Sequence, residues 1–378
     1  MHIPLHILRI IDLGSEKTSK EVFHNKHEAF TEEAFNTPGM LPDRYVFVLT
    51  NLCNLKCGFC YQKKNSKKDA MNAEEWINLA KQLPSYARVT FTGGEPFVFP
   101  SFKDVFSYVA ERFNCNIISN GILLTEEKID YILSFPNFKV LSLSIDDVGN
   151  AIRGVTPAQW GHLKKMMKYF TKKRDAINPD CILDVKTLVL DENAEDIFKI
   201  YKYFVEELNV DTHVFQFLKG SSIQHADSMF EFKDLLKKSP SSIYKKFDII
   251  KEQLELVRQY NVRKGKVSFI HPKVDSLVSE NTLSNIDLLN NPDHVKELYL
   301  PCKFPWSSVH INCDGTLFPC LAVSMGNVKK SPLSDIINSE EFYEFRELIR
   351  REGTIAACNR CGWLRPNQVN LNNPEVYS

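Results

Sequence analysis

The chain has 378 residues, 43% of them apolar and 25% charged, an ordinary globular composition in a length that suggests two or three domains. Its 47 Lys and Arg balance its 47 Asp and Glu, so no global field directs it to nucleic acid or to a membrane surface. No stretch reaches the roughly 20 continuous apolar residues of a membrane span. The opening MHIPLHILRIIDLGSEK is broken by His2, His6 and Arg9 and lacks the leader and cleavage site of a signal peptide. A cytoplasmic location is expected, where clustered cysteines are metal ligands more often than disulfides.

In chain order, residues 1–44 show no clear strand–helix module and read as an N-terminal extension. From 45 to 222, short β-rich runs alternate with amphipathic helical patterns. The runs are YVFVLT (45–50), ARVTFT (87–92), NIIS (116–119), KVLSLSI (139–145), ILDVKTLVL (182–190) and THVFQFL (212–218). Several are almost continuously apolar, as strands buried on both faces are. Between them, Trp76, Leu79, Ala80 and Leu83 fall at helical spacing. So do Phe102, Val105, Phe106 and Val109, and then Ile197, Ile200, Tyr201 and Phe204. Asn72 with Glu75, and Ser101 with Asp104, have the form of capping boxes. About six parallel βα units of the α/β class follow, arranged as an open sheet or a partial barrel. The basic clusters Lys63–Lys68 and Lys164–Arg174 read as solvated faces.

Residues 223–300 form a helical and linker segment, with one helix over 243–260 and a polar, Asn-rich stretch over 275–300. VHINCDGTLFPC (309–320) is a hairpin turning at Asp314–Gly315. A helix follows at 339–351, within a C-terminal domain of residues 301–364, and 365–378 is a polar tail.

Eight of the ten cysteines lie in two groups. Cys53, Cys57 and Cys60 occupy eight residues directly after the first strand. Three thiolates can hold a cubane cluster while one iron stays open to a small molecule. A zinc site short of one ligand and a redox Cys-x-x-Cys pair are the alternatives. Every other motif also follows a strand, where parallel barrels place their active sites: Thr92-Gly93-Gly94-Glu95-Pro96, Ser119-Asn120-Gly121, and Ser142 to Asp146. Paired glycines permit close backbone approach, Glu95 can accept from an ammonium group, and Ser144 and Asp146 can bind hydroxyls.

Residues 45–218 resemble the radical S-adenosylmethionine (SAM) core, a partial (β/α)6 barrel. The resemblance implies that Cys53, Cys57 and Cys60 ligate a catalytic 4Fe–4S cluster whose open iron is chelated by SAM. It places Phe59 near adenine and Gly93, Gly94 and Glu95 at the SAM amino group. Asn120 joins these as a cofactor contact, Ser144 and Asp146 lie near the ribose and carboxylate, and Arg153 matches an arginine that some members place near SAM. Cys302, Cys320, Cys358 and Cys361 can close completely around a metal, which in general suggests zinc. Behind such a core the set resembles a SPASM domain in its shortened "twitch" form, implying one auxiliary 4Fe–4S cluster. Cys313 then reads as a spare thiol, and Cys115 and Cys181 as packing residues.

His213 is a core histidine or one that points into the barrel; Asp184, Lys186 and Gln216 lie on barrel strands with either parity open. His310 and Trp306 are expected near the auxiliary domain. No dyad or triad spacing names a general base. The resemblance implies reductive cleavage of SAM to a 5′-deoxyadenosyl radical and hydrogen abstraction from substrate, with an electron donor such as flavodoxin or ferredoxin. The expected reaction is two-electron oxidation of a small polar, sugar- or cyclitol-like metabolite, with the auxiliary cluster as electron acceptor. The spacing is most like the 2-deoxy-scyllo-inosamine dehydrogenase type. Peptide or protein side-chain modification is the alternative, and a non-catalytic metal-binding protein is the alternative of another class.

Overall fold

The computed structural model describes residues 19–62, 69–224, 226–236, 244–272 and 290–367. The opening apolar run, the Lys63–Lys68 cluster, most of the polar 275–300 segment and the tail beyond 367 lie outside them. Six strands pair side by side in chain order, all parallel: β1 (Arg44–Val48), β2 (Arg88–Thr92), β3 (Asn114–Ser119), β4 (Phe138–Ser144), β5 (Ile182–Val189) and β6 (Thr212–Phe217). Helices α2 (Ala73–Ala80), α3 (Phe102–Ala110), α4 (Glu126–Leu133), α5 (Pro157–Ile177) and α6 (Ile197–Glu206) join them in turn. This is the expected α/β partial barrel.

The apolar periodicities lie where burial needs them: Trp76, Phe102, Val105, Phe106, Ile197 and Phe204 all enter the core. Asn72 and Glu75 form a complete capping box, with Glu75 N–H donating to Asn72 Oδ1 at 3.0 Å and Asn72 N–H donating back to the Glu75 carboxylate at 2.8 Å. Ser101 differs from expectation. Its backbone (φ −95°, ψ 29°) is not extended as a cap requires, and its hydroxyl caps nothing.

Two features extend the sheet beyond six strands. A seventh parallel strand, β7 (Ser268–His271), pairs with β6 after helix α7 (Phe247–Lys264). The hairpin of β8 (Ser308–Ile311) and β9 (Thr316–Phe318) turns at Gly315, whose φ of +85° suits glycine. Its first strand lies parallel on β1, pairing Arg44 with Ser308 and Phe47 with Ile311. A short strand, β10 (Gly326–Asn327), completes a ten-stranded sheet with β10 and β7 at its edges. Helices α8 (Leu333–Ile337) and α9 (Glu340–Glu352) follow.

The helix α1 (Ser19–Asn36) packs at the N-terminal end of the strands, although the sequence shows no clear module there. Its Thr31 hydroxyl donates to Ser307 Oγ at 2.8 Å. His27 Nδ1 lies 2.9 Å from the Asp43 carboxylate, and its ring meets Phe304 and Trp363 edge-on. Burial is the main cause that lowers His27 to a pKa of about 4. Among the described residues no helix is long and apolar enough to cross a membrane.

Candidate active site at the carboxyl ends of the strands

The loop after β1 carries Cys53, Cys57 and Cys60, all partly exposed. It is held by the turn after β2. Gly94 N–H donates to the Thr50 carbonyl at 2.6 Å, and Glu95 N–H to the Leu52 carbonyl at 2.9 Å. A Cβ on Gly93 would stand 2.4 Å from the Thr50 oxygen, and one on Gly94 2.3 Å from the Leu52 oxygen. The close approach that these glycines allow is therefore made to the cysteine loop itself.

Glu95 is fully buried, and its carboxylate accepts from Phe97 N–H at 3.2 Å, Ser119 Oγ at 2.8 Å and Asn120 N–H at 2.8 Å. Burial raises its pKa to about 7 against these donors. Asn120 turns back to the loop: its Nδ2 donates to Asn54 Oδ1 at 2.8 Å and lies 3.7 Å from Cys53 Sγ. The ends of β1, β2 and β3 are thus tied together around the first cysteine.

Arg153 approaches from the far side of the loop. Its guanidinium stands 5.2 Å from the centre of the Phe59 ring, and its carbonyl is 3.8 Å from Cys57 Sγ. Burial raises the Cys57 thiol, and the arginine opposes that shift. Arg153 Nε lies 2.8 Å from Asp146, whose carboxylate also accepts from Leu188 N–H at 2.8 Å. Asp146 is fully buried and its oxygens meet Arg153 and the backbone of β5, so it positions the arginine. Ser144 is only partly buried, at the end of β4, and its carbonyl accepts from Asn150 Nδ2 at 3.2 Å.

Strand parity is resolved. Leu183, Val185 and Val189 enter the core, so Asp184, Lys186 and Leu188 project from the other face of β5. Asp184 accepts from Ser142 Oγ at 2.8 Å and Thr212 Oγ1 at 2.6 Å, a single rung across β4, β5 and β6. Gln216 aligns with Leu188 on that same face. His213 lies on the core side, stacked on Phe215 at 4.5 Å. The Thr187 hydroxyl gives its proton to the Ile145 carbonyl, so His213 Nε2 donates to Thr187 Oγ1 at 2.8 Å. His213 is a core histidine.

The second cysteine set converges from three places: Cys302 before β8, Cys320 after β9, and the loop of Cys358 and Cys361 after α9. Cys320 feels Cys302, Cys358 and Cys361 electrostatically, and Cys358 feels Cys302 and Cys361. Burial is the main cause that raises all four thiols, Cys302 to about 12. A bound metal centre reverses that preference, because coordinating thiols are deprotonated outright. No disulfide joins them. Among the described residues no group of three or more His, Cys, Asp or Glu is spaced to hold a single metal ion. Ligands of a cubane stand farther apart than the roughly 3.8 Å implied by 2.3 Å bonds to one zinc.

Cys313 stands outside this set: its neighbours are Asp314, Asn51 and Asp227, and its carbonyl accepts from Met71 N–H. Cys115 and Cys181 are both buried in the core. His310, on β8, donates from Nδ1 to the Pro319 carbonyl at 2.7 Å, beside Cys320. Trp306 is buried just before β8. Neither residue has an obvious sequence signal beyond its position.

A three-cysteine loop at a parallel-strand end and a closed four-cysteine set define the class. Residues 47–204 match the radical SAM superfamily and residues 302–362 match SPASM, an iron–sulfur cluster-binding domain. The chain thus carries a radical SAM domain, which implies a 4Fe–4S cluster and SAM, followed by a SPASM domain, which binds iron–sulfur clusters.

It is 26% identical over 245 residues to the sporulation killing factor maturation protein SkfB of Bacillus subtilis, covering 61% of this chain and 57% of that protein. Over 148 residues it is 28% identical to the antilisterial bacteriocin subtilosin biosynthesis protein AlbA of the same organism, covering 38% of this chain and 31% of AlbA. The chain thus spans a little over half of SkfB and about a third of AlbA. In three dimensions it resembles Streptococcus suis SuiB bound to the precursor peptide SuiA, with a TM-score of 0.59 and 17% identity, covering 90% of this chain and 76% of SuiB. At that identity the likeness speaks to the fold alone.

Proposed function

We propose that this enzyme modifies side chains of a peptide or protein by radical SAM chemistry. The observation that carries this reading is the company the chain keeps: SkfB is named a killing factor maturation protein and AlbA a bacteriocin biosynthesis protein, and SuiB, alike in fold, was solved with a precursor peptide. Cys53, Cys57 and Cys60 hold the SAM-binding cluster, and Cys302, Cys320, Cys358 and Cys361 hold one auxiliary cluster. When bound, the cofactors supply reductive cleavage of SAM and abstraction of a substrate hydrogen atom.

The chain's own residues build the frame for that chemistry. Gly93 and Gly94 seat the cysteine loop on β2, and Glu95 and Asn120 brace it against β3. Phe59, Ser144 and Arg153 face the SAM site, with Asp146 orienting Arg153. A flavodoxin or ferredoxin provides the electron.

A second reading keeps its own support. The four-cysteine set leaves no open ligand position for substrate, which suits an electron acceptor. It therefore favours net two-electron oxidation, and a small polar metabolite of the 2-deoxy-scyllo-inosamine kind is its substrate. The test is 5′-deoxyadenosine formation by anaerobically reconstituted protein with SAM and a strong reductant, with small-molecule and macromolecular cell fractions added separately. Stimulation by the macromolecular fraction is expected; stimulation confined to the small fraction overturns the peptide reading.

A further inference from the structure

The two cysteine sets meet at one side chain. Lys219 lies two residues past the end of β6, at the end of the barrel where the first cysteine loop sits. Its Nζ stands 4.1 Å from the centre of the Tyr61 ring, and Tyr61 directly follows Cys60. The same Nζ donates to the Gln224 carbonyl at 3.1 Å.

Gln224 is itself anchored to the second set. Its Nε2 donates to the carbonyls of Ala357 and Asn359, the two neighbours of Cys358, at 2.6 and 2.8 Å. Gly220 tightens the same junction: its N–H donates to the Asn359 carbonyl at 2.9 Å, and a Cβ there would stand 2.5 Å from that oxygen. Lys219 is thus held by an aromatic neighbour of one set and by a hydrogen-bonded arm of the other. Burial lowers its pKa to about 7, and Cys361 and Cys60 both oppose that shift, so negative charge on the two cysteine sets is what favours the ammonium form.

We infer that Lys219 is a positioning residue whose ammonium charge is shared by the two clusters and raises the reduction potentials of both. The inference rests on the proposal that both cysteine sets carry clusters. The physical cause is elementary. Each cluster, with its thiolates, becomes more negative on reduction, and a nearby cation stabilises the reduced form. The partly buried setting of Lys219 screens that effect less than bulk water would.

The experiment is redox potentiometry followed by electron paramagnetic resonance on reconstituted protein, with iron and sulfide measured in parallel. Variants lacking Cys53, Cys57 and Cys60, or lacking Cys358 and Cys361, assign each signal to its set. If wild-type protein holds no iron in one set, the cluster reading fails, independently of Lys219. With both clusters present, K219M and K219Q are expected to retain iron and to move both potentials to more negative values. K219R, which keeps the charge, is expected to stay near wild type. Unmoved potentials, or a shift in only one cluster, overturn the inference. So does loss of iron in the neutral variants, which would assign Lys219 to holding the fold.

Discussion

Gly94 and Leu52 touch through their backbones so tightly that no side chain fits at position 94: a Cβ there would lie 2.3 Å from the Leu52 carbonyl oxygen. The turn after β2 and the loop that leads into Cys53 are therefore one packed unit. G94A must displace that loop. The expected outcome is loss of about half of the bound iron, with the auxiliary cluster's signal retained. Iron analysis and spectroscopy of the variant check this, and full retention of both clusters would contradict it.

The pair of Asp146 and Arg153 gives a second expectation. Asp146 is fully buried and Arg153 is mostly so, with their closest atoms 2.8 Å apart. Removing one partner of a buried ion pair costs about 3–5 kcal/mol, because the other is left uncompensated. D146L also orphans the Leu188 N–H. Urea denaturation should show a loss of roughly 3 kcal/mol or more, whereas D146N, which keeps the shape and an acceptor, should lose less.

His27 predicts a pH dependence. Its folded pKa of about 4 lies below the ordinary 6.5, so the folded state prefers the neutral ring. Its stabilising contribution is fully present above pH 6.5. As pH falls below 6.5, the unfolded chain takes up a proton that the folded chain refuses, and stability declines by up to about 1.4 kcal/mol per pH unit until about pH 4. H27Q should flatten that part of the stability profile between pH 6.5 and 5. A slope unchanged by H27Q would mean that other groups carry it.

The cysteines divide into members of a set and bystanders. C313S should leave iron content and both cluster signals unchanged, because Cys313 faces Asp314 and Asn51 and not the other thiols. C320S should remove the auxiliary cluster alone. Parallel iron determinations on the two variants separate these outcomes.

The six parallel strands and three of the five helices that join them were legible because each carries its own local pattern: a short apolar run, or apolar residues at helical spacing. The two cysteine groups were legible for the same reason, since ligand spacing is written along the chain. Long-range partnerships were not. Nothing in the run SFIH announces a seventh strand, and nothing in SVHI shows that it will lie parallel on β1. Asp146 read as a ligand contact because its place at a strand end suits one. Only the fold reveals that it also meets Arg153 and the Leu188 N–H. Ser101 had the letters of a cap without its backbone conformation. Lys219 had no sequence signal at all, because Tyr61 and the carbonyls of Ala357 and Asn359 that anchor Gln224 come from distant segments.

The placement of β8 beside β1 has a mechanical consequence. The strand that ends in the three-cysteine loop and the strand that opens the C-terminal hairpin are paired in one ladder. Where these two strands meet, the spacing of the two domains is ruled by peptide geometry, and it cannot change there without breaking four residue pairings. Any adjustment to an incoming substrate then falls to the loops above the sheet.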